Sequence, residues 1–133
     1  MRYLDSLIRF SFTASLIALS SAALAEGAVR VLDCSVVQRC DASGKCEAAS
    51  DKRTFRMEPV NLQDDGSGSY VMVSNDKKTD MQALSFAGPF YWSTTEERNT
   101  LLVSSETEFL WHQLTLTPTP SAHINYMRCK FTQ

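Results

Sequence analysis

Apolar and polar residues alternate along most of this chain in short segments separated by turn residues, and that period of two predicts strands. Strands are predicted near Ala28–Gln38, Arg53–Pro59, Ser69–Ser74, Met81–Phe86, Phe90–Thr94, Thr100–Ser104, Glu108–Thr117 and His123–Phe131. Between them lie stretches with turn chemistry: Asp64-Asp65-Gly66-Ser67-Gly68, Asn75-Asp76-Lys77-Lys78, Gly88-Pro89, Glu96-Glu97-Arg98-Asn99, Ser104-Ser105-Glu106-Thr107 and Pro118-Thr119-Pro120. Helical signal after the N-terminus is weak and confined to Thr79–Leu84. About eight short strands at regular spacing predict an all-β fold, a small antiparallel barrel or sandwich.

The N-terminus breaks this pattern. Arg2 and Arg9 precede the apolar stretch Phe10–Leu19, and small residues crowd Ser20–Ala25, ending in Ala23-Leu24-Ala25. A basic start, a short greasy centre and a small-x-small end make a secretory signal peptide, residues 1–25, cleaved before Glu26. The apolar stretch is shorter than the roughly 20 residues that span a bilayer, so a membrane anchor is not expected. A lipid anchor would need a cysteine directly after the greasy stretch, whereas the first is Cys34. Residues 26–133 are then expected to fold as a single domain, periplasmic or secreted, with no membrane insertion after processing.

Charge adds little to the choice of partner. The full chain has 13 Lys and Arg against 15 Asp and Glu; without Arg2, Arg9 and Asp5, 11 basic and 14 acidic side chains remain, a formal charge of −3. The signs are interspersed, with no stripe to follow a phosphate backbone and no polybasic patch, so nucleic acid and anionic lipid are poor partners.

In an exported chain, four cysteines (Cys34, Cys40, Cys46 and Cys129) read as two disulfides. The Cys34-x5-Cys40-x5-Cys46 spacing lacks the short pairs of zinc knuckles, and Cys-x-x-Cys redox spacing is absent. Cys34 shares a strand face with Leu32 and Val36, and Cys129 shares one with Met127 and Phe131, so both point into the core. Asp41-Ala42-Ser43-Gly44-Lys45 is a turn-rich loop short enough for its ends to meet. The predicted pairs are Cys34–Cys129 and Cys40–Cys46. On the loop-entropy model the first is worth about 4–5 kcal/mol and the second about 2 kcal/mol.

The candidate chemistry is sparse. His112 and His123 are the only histidines, and neither adjoins a nucleophile elbow; Gly66-Ser67-Gly68-Ser69 lacks the Gly-x-Ser-x-Gly spacing and reads as a turn. The acid pairs Asp64-Asp65 and Glu96-Glu97 fall in predicted turns, where solvation does not separate their pKa values. Asp64–Ser69 matches a calcium loop only loosely. No catalytic residues, metal site or cofactor are expected. On the predicted strand Glu108–Thr117, Leu110, His112, Leu114 and Leu116 share one face, taken as the core, which leaves Phe109 and Trp111 on the other, either covered by another segment or exposed as an aromatic patch.

Two short motifs carry a resemblance. Gly66-Ser67-Gly68-Ser69-Tyr70 resembles the Ser/Gly loop leading to a Tyr in the periplasmic inhibitors of c-type lysozyme, and Phe90-Tyr91-Trp92-Ser93 resembles the aromatic strand of that family. The resemblance implies that both loops enter the lysozyme cleft, with Ser67, Ser69 and the loop after Trp92 in contact. The chain departs from the family at Thr94-Thr95, where the family has Lys-Gly, and in the Cys40–Cys46 loop. The expected function is a non-catalytic binding or inhibitor-type protein. It would meet an envelope or extracellular protein through Ser67, Ser69, Tyr70, Tyr91, Trp92, Phe109 and Trp111, residues suited to an interface. The alternative is a lipocalin-like carrier of a small apolar ligand.

Overall fold

The computed structural model describes residues 28–132, so the predicted signal peptide lies outside the described residues. Nine strands run β1 Arg30–Asp41, β2 Cys46–Ala48, β3 Lys52–Leu62, β4 Gly68–Ser74, β5 Lys77–Ala83, β6 Phe90–Ser93, β7 Glu97–Val103, β8 Glu108–Thr115 and β9 Ser121–Phe131. All neighbours are antiparallel, and β1 pairs with both β3 and β9, so β1 and β3–β9 close an eight-stranded barrel. The choice between barrel and sandwich is thereby resolved. β2 lies outside the closed ring, folded back on the end of β1 as a hairpin.

An up-and-down order alternates the connections between two ends. The lower end carries the β3–β4, β5–β6 and β7–β8 connections, the start of β1 and the end of β9. The upper end carries the β4–β5, β6–β7 and β8–β9 connections and the β2 hairpin.

Both predicted disulfides are present. Cys34 and Cys129 face each other across β1 and β9, and Cys40 and Cys46 clasp the hairpin. Such staples belong to an oxidising compartment.

The first correction concerns Thr79–Leu84, which is not helical. β5 begins at Lys77 and pairs with β4 through the two-residue turn Asn75-Asp76, whose φ values of 50° and 61° match the twist of a tight hairpin. Its helical look came from polar residues on its outer face.

The second concerns β8, whose facing is the reverse of that expected. Phe109 is 1% exposed and Trp111 6%, whereas Leu114 is 39% exposed and His112 lies outside. Register decides this: Phe109 opposes the core residue Met127, and Trp111 opposes Leu101. Both faces of β8 are apolar, so the counting of leucines chose the wrong one. Rings bury more area than leucines do, and a barrel interior has room for them. Phe109 and Trp111 therefore form no exposed aromatic patch.

Two irregularities shape the wall. A bulge between Val36 and Gln38 shifts the β1–β9 register, so Leu32, Cys34 and Val36 face inward, and after it Arg39 reaches the interior while Cys40 turns to the hairpin. β3 runs past the start of β1, whose pairing ends at Met57, and a second bulge falls between Pro59 and Asn61 in this overhang.

The lower half of the barrel is filled. Leu32, Met57, Tyr70, Phe90, Leu101 and Phe109 are buried there, with Tyr70 and Phe90 edge to face at 5.9 Å. Below them the β3–β4 and β5–β6 loops meet: the Phe86 backbone N–H donates to Asp65 O, and the Arg30 guanidinium lies 5.1 Å over the Phe86 ring. Gly66 sits there at φ 79°, and a Cβ would collide with the Phe86 ring, so the crossing of the loops requires glycine.

Candidate functional site

At the upper end the apolar filling stops at three rings. Phe55 from β3 meets Trp111 from β8 edge to face at 5.5 Å and Trp92 from β6 at 6.1 Å. Above them lies an open cup of about 810 Å³, within the range of small-molecule sites. Its walls come from strand ends: Arg53 of β3, Ser74 of β4, Lys77 and Thr79 of β5, Glu97 and Asn99 of β7, and Gln113 of β8, with the Thr94–Glu96 turn at the rim.

A chain of polar side chains organises the wall above the rings. Gln113 Nε2 donates to Glu97 Oε1 at 3.0 Å, and Asn99 Nδ2 donates to the other oxygen at 3.4 Å. Asn99 Oδ1 in turn accepts from Trp111 Nε1 at 2.9 Å. On the far side, Arg39 Nε donates to Asn125 Oδ1 at 2.8 Å and its Nη2 pairs with Asp51 at 2.9 Å, while Asn125 Nδ2 reaches Trp111 O at 3.4 Å. Asn99 and Asn125 are the buried polar residues of the described interior, at 3% and 0% exposure. Buried amides are tolerable where each finds a partner, and here each does.

The arrangement is suited to holding a ligand. Glu97 is fixed as an acceptor between two neutral amides, and Arg53 lies 5.8 Å over the Trp111 ring. Both histidines lie elsewhere: His112 and His123 line a second, shallower groove of about 560 Å³ outside the wall, with Leu114 and Ile124, beneath the β1–β2 hairpin.

The residues named from sequence separate into four places. Trp92 and Trp111 come together at the base of the cup. Tyr70 and Phe109 belong to the lower filling. Tyr91 is 47% exposed on the outer face of β6. Ser67 and Ser69 are at the lower end, where Ser67 N–H donates to Asp65 Oδ1 at 2.9 Å and Ser69 Oγ accepts from Gln82 at 3.0 Å. Hydrogen bonds from Ser67, through its side chain and its backbone, hold the Asp65 carboxyl below the usual aspartate range.

The Ser/Gly loop enters β4 at the lower end and the loop after Trp92 leaves β6 at the upper end. The two motifs of the lysozyme-inhibitor resemblance therefore open toward opposite ends of the barrel. Comparison of the chain with protein-family models, with curated proteins and with solved structures gave no match.

Sequence reasoning missed Arg39, Arg53, Phe55, Glu97, Asn99, Gln113 and Asn125. A signal was present for two of them: Asn99 stands two residues before Leu101, and Asn125 two before Met127, both in phase with core positions. Polar residues at inward positions mark where a barrel stops being filled.

Proposed function

We propose that the processed domain is an exported, non-catalytic binding protein of the periplasm or the extracellular space, and that it recognises its partner at the upper cup. The observation that supports this is the contrast within one interior: a packed lower half beneath a cavity whose polar wall is already ordered. A preorganised site loses less freedom on binding than one assembled from loops. Glu97, held between amide donors, serves as a fixed acceptor, which suits recognition better than proton transfer. The apolar-carrier reading is less favoured, because an alkyl chain would strip water from Glu97 and Gln113 and return no hydrogen bond.

The test compares the two ends. Thr95→Trp, which narrows the mouth, and Gln113→Ala, which removes a wall amide, are each expected to weaken binding of the partner at least tenfold. Ser67→Ala combined with Ser69→Ala leaves it unchanged. The first partner to try is c-type lysozyme, through inhibition of its activity, followed by soluble envelope components. Loss of binding in the serine variant alone would move recognition to the lower loops.

A further inference from the structure

We infer that the upper cup is a saccharide site that takes one or two uncharged sugar rings. The inference rests on the reading of the cup as the recognition site and names its ligand class.

Charge is the first ground. Arg53 and Lys77 stand on the β3–β5 side and Glu96 and Glu97 on the β7 side, while the Lys78 ammonium pairs with Glu58 outside, so four formal charges cancel across the opening. An anionic ligand drawn toward Arg53 and Lys77 meets two carboxylates, and a cationic one meets two basic groups. An uncharged ligand is opposed by neither.

Hydrogen-bonding capacity is the second ground. Glu97 can only accept, Arg53 and Lys77 can only donate, and Asn99, Gln113 and Thr79 can do both. A sugar presents adjacent hydroxyls that each donate and accept, so one ring can satisfy acceptors on the β7–β8 wall and donors on the β3–β5 wall together. Glu97 Oε1 and Oε2 each already take one amide N–H, which aligns the carboxylate and leaves lone pairs on both oxygens for hydroxyl donors.

The base supplies the third ground. Phe55, Trp92 and Trp111 form an edge-to-face cluster directly under the polar wall. A sugar ring has one face of C–H bonds and an equator of hydroxyls, and it can place that face on the rings while its equator meets the amides. Arg53, whose exposed guanidinium lies over Trp111, is the side chain that turns aside to admit it. The volume of about 810 Å³ suits a ligand of one or two rings and is far larger than a bound ion needs.

The experiment follows tryptophan emission and the indole N–H resonances of the oxidised protein during titration with maltose, cellobiose, lactose and N,N′-diacetylchitobiose. Glycine betaine, dodecanoate and inorganic phosphate serve as cationic, apolar and anionic probes. At least one disaccharide is expected to saturate with a Kd below about 1 mM and to shift both indole resonances. Glu97→Gln and Gln113→Ala should each weaken that binding at least tenfold while the far-ultraviolet spectrum stays unchanged. Saturable shifts by betaine, dodecanoate or phosphate without any by a disaccharide would overturn the saccharide assignment and leave the cup as the recognition site. Silence from every probe, combined with partner binding that Thr95→Trp does not disturb, would overturn both.

Discussion

The two ends of the barrel interior are built from the same strands by the same alternation, yet one is a packed core and the other an open site. The change falls within two-residue steps. Along β7 the inward positions run Leu101, Asn99, Glu97; along β8 they run Phe109, Trp111, Gln113; along β9, Met127 gives way to Asn125. Below that boundary rings and methionines exclude water, and above it amides and a carboxylate hold each other in place. The lower half therefore supplies stability, and the upper half is free to carry polar groups that a uniformly filled barrel could not satisfy.

The sharpest way to break this contrast is to cut the filling. Phe109→Ala leaves a void among fully buried neighbours and is expected to cost about 3–5 kcal/mol in urea unfolding. Gln113→Ala, four residues along the same strand, is expected to cost less than about 1 kcal/mol, because its amide lies on the cup wall. Equal losses would mean that the two ends share the load. A middle-sized effect belongs to the boundary itself. Asn99→Ala strands the Trp111 indole N–H and is expected to cost about 1–3 kcal/mol in the same measurement.

One small effect has the opposite sign. Tyr70 Oη is buried in the lower half without a hydrogen-bond partner among the described residues, and burial pushes its hydroxyl pKa up from the ordinary value of 10.0. Tyr70→Phe is expected to raise stability by about 1 kcal/mol, since it removes an unpaired polar atom and keeps the ring. Above pH 10 the unfolded chain releases this proton before the folded one does, so Tyr70 favours unfolding from there up to its higher folded value. The decline should be shallower in the Phe variant. A wild-type protein more stable than Tyr70→Phe would show that the hydroxyl has a partner, such as an internal water.

Much of the fold could be read from sequence because the strands carry their instructions locally. Leu32, Cys34 and Val36 declare the face of β1, and Met127 and Cys129 that of β9, which is enough to pair the long disulfide. β8 could not be read that way. Its two apolar faces are distinguished only by Met127 and Leu101 across the ladders, a fact of register. The start of β5 was hidden because Lys77, Lys78 and Asp80 face solvent and mimic a turn. The cup was the least legible part, since six strands each contribute one to three ordinary residues to it and no segment contains a motif for it. Trp92 and Trp111 were singled out as aromatic, but their meeting at one end depends on the closure of the barrel.

The overhang of β3 has a consequence for the protein's life in a crowded compartment. Closure leaves few backbone groups free to recruit a strand from another molecule. Among the stretches left open are β2, three exposed residues including Glu47, and the part of β3 beyond Met57. The second is the hazardous one, for it carries Val60 at 66% exposure. Pro59 lacks an N–H to offer, and the adjoining bulge spoils the regular spacing that a foreign strand would need to match. The irregularity thus works as a guard against strand addition and fibril growth, and a flat, proline-free edge at the same place would turn the barrel into a template for its own aggregation.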